Sequence, residues 1–210
     1  MTQTTRAPQR RCPVLTTARL ELGPHAAADF PEMLAMWRDP VVVKYFGGTP
    51  STPEECWTRL LRYAGLWAVV GFGYWRVRER DSGRFIGEIG LADFGRDITP
   101  SLAGFPEAGW VMASWAHRQG FAREAAAAVF GWADDRLGAG RTVCLIDPDN
   151  APSLSLAAKL GFQAFAETRY KGRDSVLLER FRRAGCRPAA GAEQGSRASP
   201  DPSPARPPPA

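Results

Sequence analysis

The sequence predicts an α+β domain, an α/β three-layer arrangement in which helices cover a central mixed β-sheet. Segments with apolar residues at every second position are interspersed with segments whose apolar residues recur every three or four positions. Two strand-like segments, 74–80 and 85–91, flank a turn of sequence Asp-Ser-Gly, which is typical of an antiparallel hairpin. A later segment, 142–146, is continuously apolar, as expected of a strand buried on both faces. Strands and helices in this order predict a layered domain.

The N-terminal half predicts one strand and two helices ahead of the hairpin. Residues 19–22 alternate in polarity and are followed by a Gly-Pro pair, which favours a short strand. Residues 29–37 have the spacing of an amphipathic helix, with Asp29 as the expected N-cap. A second helix is expected to begin at Pro53, because proline suits the first turn of a helix. The hairpin is expected to have one face in water.

The C-terminal half predicts a strand, an alanine-rich helix and four further elements. A loop rich in Gly and Pro, 95–106, precedes the strand-like segment Glu107–Met112. The next helix, 120–137, carries so many alanines that it can lie close against a sheet. The remaining elements are expected, in order, to be a strand at 142–146, a short helix at 152–161, and two strands at 162–167 and 175–180.

We expect one folded domain over residues 14–183, between disordered tails at 1–13 and 184–210. The C-terminal tail is rich in Pro, Ala, Gly and Ser and has no aromatic residue, so it cannot bury enough apolar surface to fold. The net charge is +5, but the N-terminal tail carries three arginines and no acid, and the C-terminal tail three arginines against two acids. The folded part is therefore almost neutral, which disfavours a nucleic-acid partner.

The cysteines and the hydropathy give no sign of a metal site or of a membrane segment. The four cysteines form no C-x-x-C pair, and the chain has only two histidines, so we expect no bound metal. No apolar run reaches the ~18 residues that a membrane-spanning helix needs, and the start of the chain lacks the apolar stretch of a signal peptide. We expect a cytoplasmic protein with reduced thiols and no membrane partner.

The sharpest local feature is the turn at residues 117–122, His-Arg-Gln-Gly-Phe-Ala, where a strand gives way to a helix. The first N–H groups of a helix have no partner within the helix, and the helix dipole is positive there. Gly120 would let a phosphate approach the backbone, and Arg118 adds a full positive charge. The turn alone is weak evidence for a bound phosphate. The chain has neither a P-loop motif nor a G-x-G-x-x-G after a strand, which disfavours nucleotide hydrolysis and dinucleotide-dependent oxidation.

Several blocks of sequence resemble the GNAT acetyltransferase superfamily, and more narrowly its ribosomal-protein N-terminal branch (the RimJ/RimL type). The likeness extends from about residue 15 to residue 180 and preserves the order and spacing of the blocks. It implies a mostly antiparallel sheet with one splayed parallel strand pair and helices on both faces. The blocks are the strands 19–22, 85–91, Glu107–Met112 and 142–146, the turn 117–122, the Asp-Asn-Ala-Pro-Ser run at 149–153, and Lys-Leu-Gly-Phe at 159–162.

The resemblance implies that acetyl-CoA is the cosubstrate and assigns residues to bind it. The pantetheine arm is expected to lie between the two splayed strands and the pyrophosphate to lie on the turn. His117 departs from the family, which usually has Arg or Gln there, and we expect it to be a surface loop residue. The expected binding residues are Trp110, Val111, Arg118, Gln119, Gly120, Phe121, Ala122, Asn150 and Ser153.

The resemblance also implies the catalytic groups. Glu107 matches a frequent general-base position, although it could also be a solvated residue at the start of a strand. Ser153 matches a residue that could protonate the leaving thiolate, although Asn150 and Ser153 also suit a turn and a helix cap. Many family members have a tyrosine as general acid four residues after the serine, but this chain has Ala157 there.

We therefore expect an N-acetyltransferase that moves an acetyl group from acetyl-CoA to a primary amine by direct attack in a ternary complex. The acceptor is expected to be a protein N-terminus or a small molecule, and the enzyme a monomer or homodimer. The absent tyrosine and His117 leave open an alternative, a non-catalytic regulatory module that binds acyl-CoA. An unrelated phosphate-binding α/β protein fits the blocks poorly.

Overall fold

A computed structural model describes residues 11–182 and contains one eight-stranded sheet covered by helices. The predicted tails therefore lie almost wholly outside the described residues. None of the helices in this part of the chain is both long and apolar enough to cross a membrane. The strands are β1 (Leu15–Thr16), β2 (Leu20–Gly23), β3 (Tyr74–Glu79), β4 (Phe85–Ala92), β5 (Glu107–Met112), β6 (Arg141–Ile146), β7 (Gln163–Tyr170) and β8 (Arg173–Phe181). The α-helices are α1 (Phe30–Arg38), α2 (Pro40–Val43), α3 (Pro53–Val69), α4 (Phe121–Arg136) and α5 (Ala151–Lys159).

The strands follow the order β1-β2-β3-β4-β5-β6-β8-β7 across the sheet. Each pair of neighbours is antiparallel except β5 and β6, which run parallel. Helix α4 connects β5 to β6, because two parallel neighbours need a crossover between them. The predicted fold class, a mixed and mostly antiparallel sheet with one parallel pair, is confirmed.

Two apolar clusters lie on opposite faces of the sheet. Helix α4 contributes Ala125, Ala126 and Val129 to one of them, and the two alanines are completely buried. Helices α1 and α3 contribute Met33 and Leu60 to the other. The small side chains of α4 let its backbone lie close to the strands, as the alanine-rich sequence predicted.

Strand β4 corrects the expectation that the hairpin has one face in water. Every residue of β4 is buried, because the strand lies between β3 and β5 and helices cover both of its faces. Glu88 of β4 is consequently fully buried. The arginines of β3 are only partly exposed, and Arg78 forms an ion pair with Asp29 at 2.8 Å.

Asp29 does not cap helix α1 with its side chain. It adopts helical backbone angles at the end of a preceding 3-10 turn, and its carboxylate accepts a hydrogen bond from the N–H of Ala26 at 2.7 Å. Helix α3, in contrast, begins at Pro53 as predicted, and its capping box joins Thr52 and Glu55 reciprocally. The sequence pattern missed β1 and α2, because two and four residues are too short to show a period.

Candidate active site

A cleft opens between β5 and β6 because the two strands are paired at only one position. Glu107 is the register partner of Val143, and the N–H of Val143 donates to the carbonyl of Pro106 at 3.0 Å. Beyond this point the strands diverge, as expected of the splayed pair. The resulting cavity has a volume of about 240 Å³. Its walls include the expected residues Trp110, Asn150 and Ser153, but not Val111, which packs against the cluster under α1 and α3.

The turn that follows β5 exposes the N-terminus of α4. Gly120 is the N-cap residue, has a φ of 82°, and makes no side-chain capping hydrogen bond. Arg118 also has a positive φ, 63°, which is uncommon for a residue with a side chain. The first amides of α4 are therefore not covered by a capping side chain. Of the remaining expected residues of the turn, Gln119 is exposed, Ala122 is half-buried and Phe121 is buried in the core.

Side chains from three directions hold this turn in place. The ring Nε2 of His117 donates to the carbonyl of Met112 at 2.9 Å, so this exposed histidine ties the turn to the end of β5. The side chain of Gln119 donates to the carbonyl of Trp115 at 2.7 Å. Arg19 of the N-terminal segment donates to the carbonyl of Gln119 at 3.1 Å and pairs with Glu124 of α4 at 2.7 Å. Sequence reasoning missed Arg19, because its partners lie about a hundred residues further along the chain.

The opposite wall of the cleft is formed by the start of α5. Asn150 is the N-cap of this helix, and its Oδ1 accepts from the N–H of Ser153 at 3.2 Å. The indole Nε1 of Trp110 donates to the hydroxyl oxygen of Ser153 at 3.3 Å. Because Ser153 accepts this hydrogen bond, its own hydroxyl proton is free to be donated elsewhere. Ala157 is fully buried one turn later and faces the core.

Glu107 is buried where β5 and β6 pair, and it is held by an arginine that sequence reasoning did not single out. Arg96, from the loop between β4 and β5, donates from Nε and from a terminal nitrogen to the two carboxylate oxygens of Glu107, both at 2.6 Å. Glu107 is not among the described residues that line the cleft, but it lines a smaller adjoining cavity. Arg96 lines both cavities, so it stands between Glu107 and the cleft. The structure does not bring Glu107 into contact with Ser153.

Cys144 lines the cleft and is a free thiol. Its burial and, to a smaller extent, the negative charge of Glu107 raise the pKa of the thiol well above its ordinary value. A protonated thiol is a poor nucleophile. Cys144 is therefore unsuited to carry a covalent acyl group.

Comparisons with known proteins agree with this geometry. The model of the acetyltransferase (GNAT) domain matches residues 19–163. An N-acetyltransferase of uncharacterised function from Bacillus subtilis, YoaA, is 27% identical over 161 residues, which is 72% of this chain and 83% of that protein. A structure described as a GnaT-family acetyltransferase from Bordetella pertussis is 34% identical, with a TM-score of 0.72, and covers 80% of this chain and 99% of that one. The ribosomal-protein-S5-alanine acetyltransferase of Vibrio fischeri has the same fold at 17% identity, with a TM-score of 0.62 and coverage of 84% and 100%.

Proposed function

The chain belongs to the GNAT acetyltransferase family and is an acetyltransferase, and we propose that it acetylates a primary amine with acetyl-CoA by direct attack in a ternary complex. Membership of the family supports an enzyme over the alternative of a non-catalytic acyl-CoA-binding module. One observation carries the proposal: the uncapped N-terminus of α4 lies at the end of β5, beside the opened β5–β6 pair. Within the family, the order of the sequence blocks favours the ribosomal-protein N-terminal branch, a likeness in sequence that does not by itself fix the acceptor.

The residues of the cleft suit acetyl-CoA. Free amides at the start of α4, together with Arg118, form a site for the pyrophosphate. The separated edges of β5 and β6 have backbone groups without a strand partner, which can pair with the amide groups of a pantetheine arm. Trp110 and Asn150 line the cleft in which the pantetheine arm would lie. Two structures of the same fold, a spermidine N-acetyltransferase from Vibrio cholerae and RimL, contain CoA.

The proposed reaction uses one proton acceptor and one proton donor. Glu107 takes a proton from the ammonium group of the acceptor, and the neutral amine attacks the thioester carbonyl. The carbon–sulfur bond then breaks, and the departing thiolate of CoA takes the hydroxyl proton of Ser153. The second proton of the new amide passes to the Ser153 oxygen through water, and Glu107 releases its proton to solvent. Because the Cys144 thiol stays protonated, direct transfer is favoured over an acyl-cysteine intermediate.

The experiment that tests the proposal is a measurement of CoA release from acetyl-CoA in the presence of individual amines. The panel contains N-terminal peptides, amino acids, polyamines and aminoglycosides, and mass spectrometry identifies the acetylated product. We expect release that depends on an amine and one acetyl group added per CoA. Release at the same rate with and without every amine would contradict the proposal.

Replacing Gly120 with alanine is expected to weaken the binding of acetyl-CoA by roughly tenfold, because an L-residue with a positive φ is strained by ~1–2 kcal/mol and the phosphate site depends on this conformation. The new Cβ would meet only a terminal nitrogen of Arg19 at 3.5 Å, so a steric clash is not the cause. The matched control is Gly83→Ala in the β3–β4 turn, where φ is +69° and nothing lies within 4 Å. Both variants should lose similar stability, but only Gly120→Ala should raise the KM for acetyl-CoA. Equal KM values for the two variants would remove the turn from the binding site.

A further inference from the structure

The cleft has an excess of positive charge that acetyl-CoA does not explain. Three cationic side chains line it, Arg96, Lys171 and Arg173, against two carboxylates, Asp147 on its wall and Glu107 behind Arg96, so the excess is one positive charge. Arg173 is already paired with Asp147 at 2.5 Å. Within residues 11–182, no acidic side chain forms an ion pair with Lys171, which lies in the turn between β7 and β8. These cations are not on the α4 turn, where we place the phosphates, since no residue of that turn lines the cleft.

Arg96 is fixed in an orientation that leaves part of its guanidinium available to the cleft. Its central carbon lies 4.8 Å from the ring of Phe94 and 4.6 Å from the ring of Tyr170. A guanidinium has five N–H donors; the two hydrogen bonds to Glu107 occupy two of them, and the hydroxyl of Tyr170 is a further hydrogen-bond partner. The side chain is 19% exposed, against 8% for Glu107. An anionic group that enters the cleft would therefore contact Arg96, because Glu107 lies deeper.

In this arrangement Glu107 is poorly placed to act as a base. Both of its carboxylate oxygens accept hydrogen bonds from the guanidinium of Arg96, so an ammonium group would have to compete with Arg96 for them. A cationic amine without a negative group would have to displace Arg96 while bringing more positive charge into a cleft that already has an excess. An acceptor with its own anion can instead bind to Arg96 and leave Glu107 free for the ammonium group.

On the basis of the proposed function, we propose that the acceptor is a zwitterion, a primary amine with a carboxylate on the adjacent carbon, as in an α-amino acid. Its carboxylate binds Arg96 and its ammonium group binds Glu107. The zwitterion therefore replaces the direct ion pair between Arg96 and Glu107 with two ion pairs to itself. The amine proton passes to Glu107, the amine attacks the acetyl carbonyl, and CoA leaves as the thiol. Neither a polyamine nor a protein N-terminus has this adjacent carboxylate.

The test compares each α-amino acid with its own α-carboxamide as acceptor. The amide lacks the negative charge, and its amino group is less basic, so simple reactivity favours the amide. We expect the opposite, a kcat/KM at least ~10-fold higher for the acid, because the site is built to hold a charge that the amide lacks. An amide that is acetylated as well as its acid would overturn the inference.

Variants then assign the preference to Arg96. Arg96→Gln should raise the KM for the amino acid by ~10-fold or more. It should change the KM for acetyl-CoA and for the amide much less, because neither of them needs an anion-binding group at this position. The control Arg136→Gln, at the exposed end of α4, should change none of these values. Equal losses for acid and amide in Arg96→Gln would overturn the inference while the proposed function stands. If no amine of any class is acetylated, the proposed function fails, and the inference fails with it.

Discussion

Glu107→Gln is expected to lower kcat by about 100-fold, because a positioned general base contributes at least ~10²-fold to a proton transfer of this kind. Glutamine keeps the shape of the side chain and its hydrogen-bonding oxygen but cannot take a proton. The loss should be measured at saturating acetyl-CoA and acceptor. It should shrink as the pH rises towards the pKa of the acceptor amine, because a growing fraction of the amine is then neutral without any base.

The partner variant separates loss of the base from loss of the ion pair. Glu107→Gln leaves the guanidinium of Arg96 half-buried without its carboxylate, which by itself destabilises the fold. Arg96→Gln breaks the same ion pair but retains the base. We therefore expect both variants to melt at a lower temperature. Only Glu107→Gln should lose turnover of an acceptor that has no carboxylate, such as an amino-acid amide. A Glu107→Gln enzyme with the kcat of the wild type would show that this carboxylate serves the fold and not the chemistry.

Glu88→Gln is expected to change the pH dependence of the free energy of unfolding. The loss of stability that Glu88 causes between pH 4.5 and 7.5, roughly 3 kcal/mol, should be absent from the variant. The carboxylate of Glu88 is fully buried; its Oε1 accepts from Trp37 at 3.0 Å and from Tyr63 at 2.9 Å. Its Oε2 has no hydrogen-bond partner among residues 11–182. Burial raises the pKa of Glu88 from 4.5 to about 7. Because the folded state holds the proton more tightly than the unfolded state, this group makes the protein less stable as pH rises from about 4.5 to about 7.

His25 changes the stability with pH in the opposite direction to Glu88, over nearly the same pH range. Burial lowers the pKa of its imidazole from 6.5 to about 4, so the unfolded state binds the proton more tightly. Its contribution is present above pH 6.5 and is lost as the pH falls through 4. We therefore expect the wild type to be almost equally stable at pH 4.5 and 6.5. The ring of His25 lies 5.2 Å from the ring of Tyr63, whose hydroxyl donates to Glu88, so the two opposing groups flank one side chain.

Urea unfolding at a series of pH values measures both contributions. Glu88→Gln should become more stable as pH rises from 4.5 to 6.5, because only the effect of His25 is left, and His25→Gln should become less stable over the same range. Glu54→Gln, an exposed position in the first turn of α3, should keep the flat profile of the wild type. A Glu88→Gln profile that runs parallel to that of the wild type would mean that Glu88 is not protonated near neutral pH.

Local patterns in the sequence predicted the layers, and the resemblance to the GNAT superfamily predicted where two strands separate. Periodicity indicated the helix that begins at Pro53 and the continuous apolar strand β6, and a strand, a glycine and a helix in succession indicated the open start of α4. The burial of Glu88 and the ion-pair partner of Glu107 could not be predicted in this way. Glu88 occupies what looks like a solvent-facing position of a hairpin until a helix covers that face. The partner of Glu107 comes from an irregular loop, where no period relates a residue to its neighbours in space.

Asp29 and Arg19 illustrate the same limit at single residues. A carboxylate at the start of a helical pattern predicts an N-cap, but an arginine on β3 and the amide of Ala26 compete for it, and tertiary contacts decide the outcome. Arg19 is an ordinary charged residue next to a short strand in the sequence. Only the fold places it beside the α4 turn, where it holds both a backbone carbonyl and Glu124.

The single point of pairing between β5 and β6 means that this sheet has four edges instead of two. Strands β1 and β7 end the sheet on the outside, and the diverging parts of β5 and β6 form two more edges inside it. Unpaired strand edges attract foreign chains, and proteins normally cover them. In the proposed complex, the pantetheine arm covers these inner edges by β-augmentation, as an extra strand would. Acetyl-CoA would then be both the acetyl donor and a temporary part of the sheet, and each release of CoA would briefly leave the sheet incomplete.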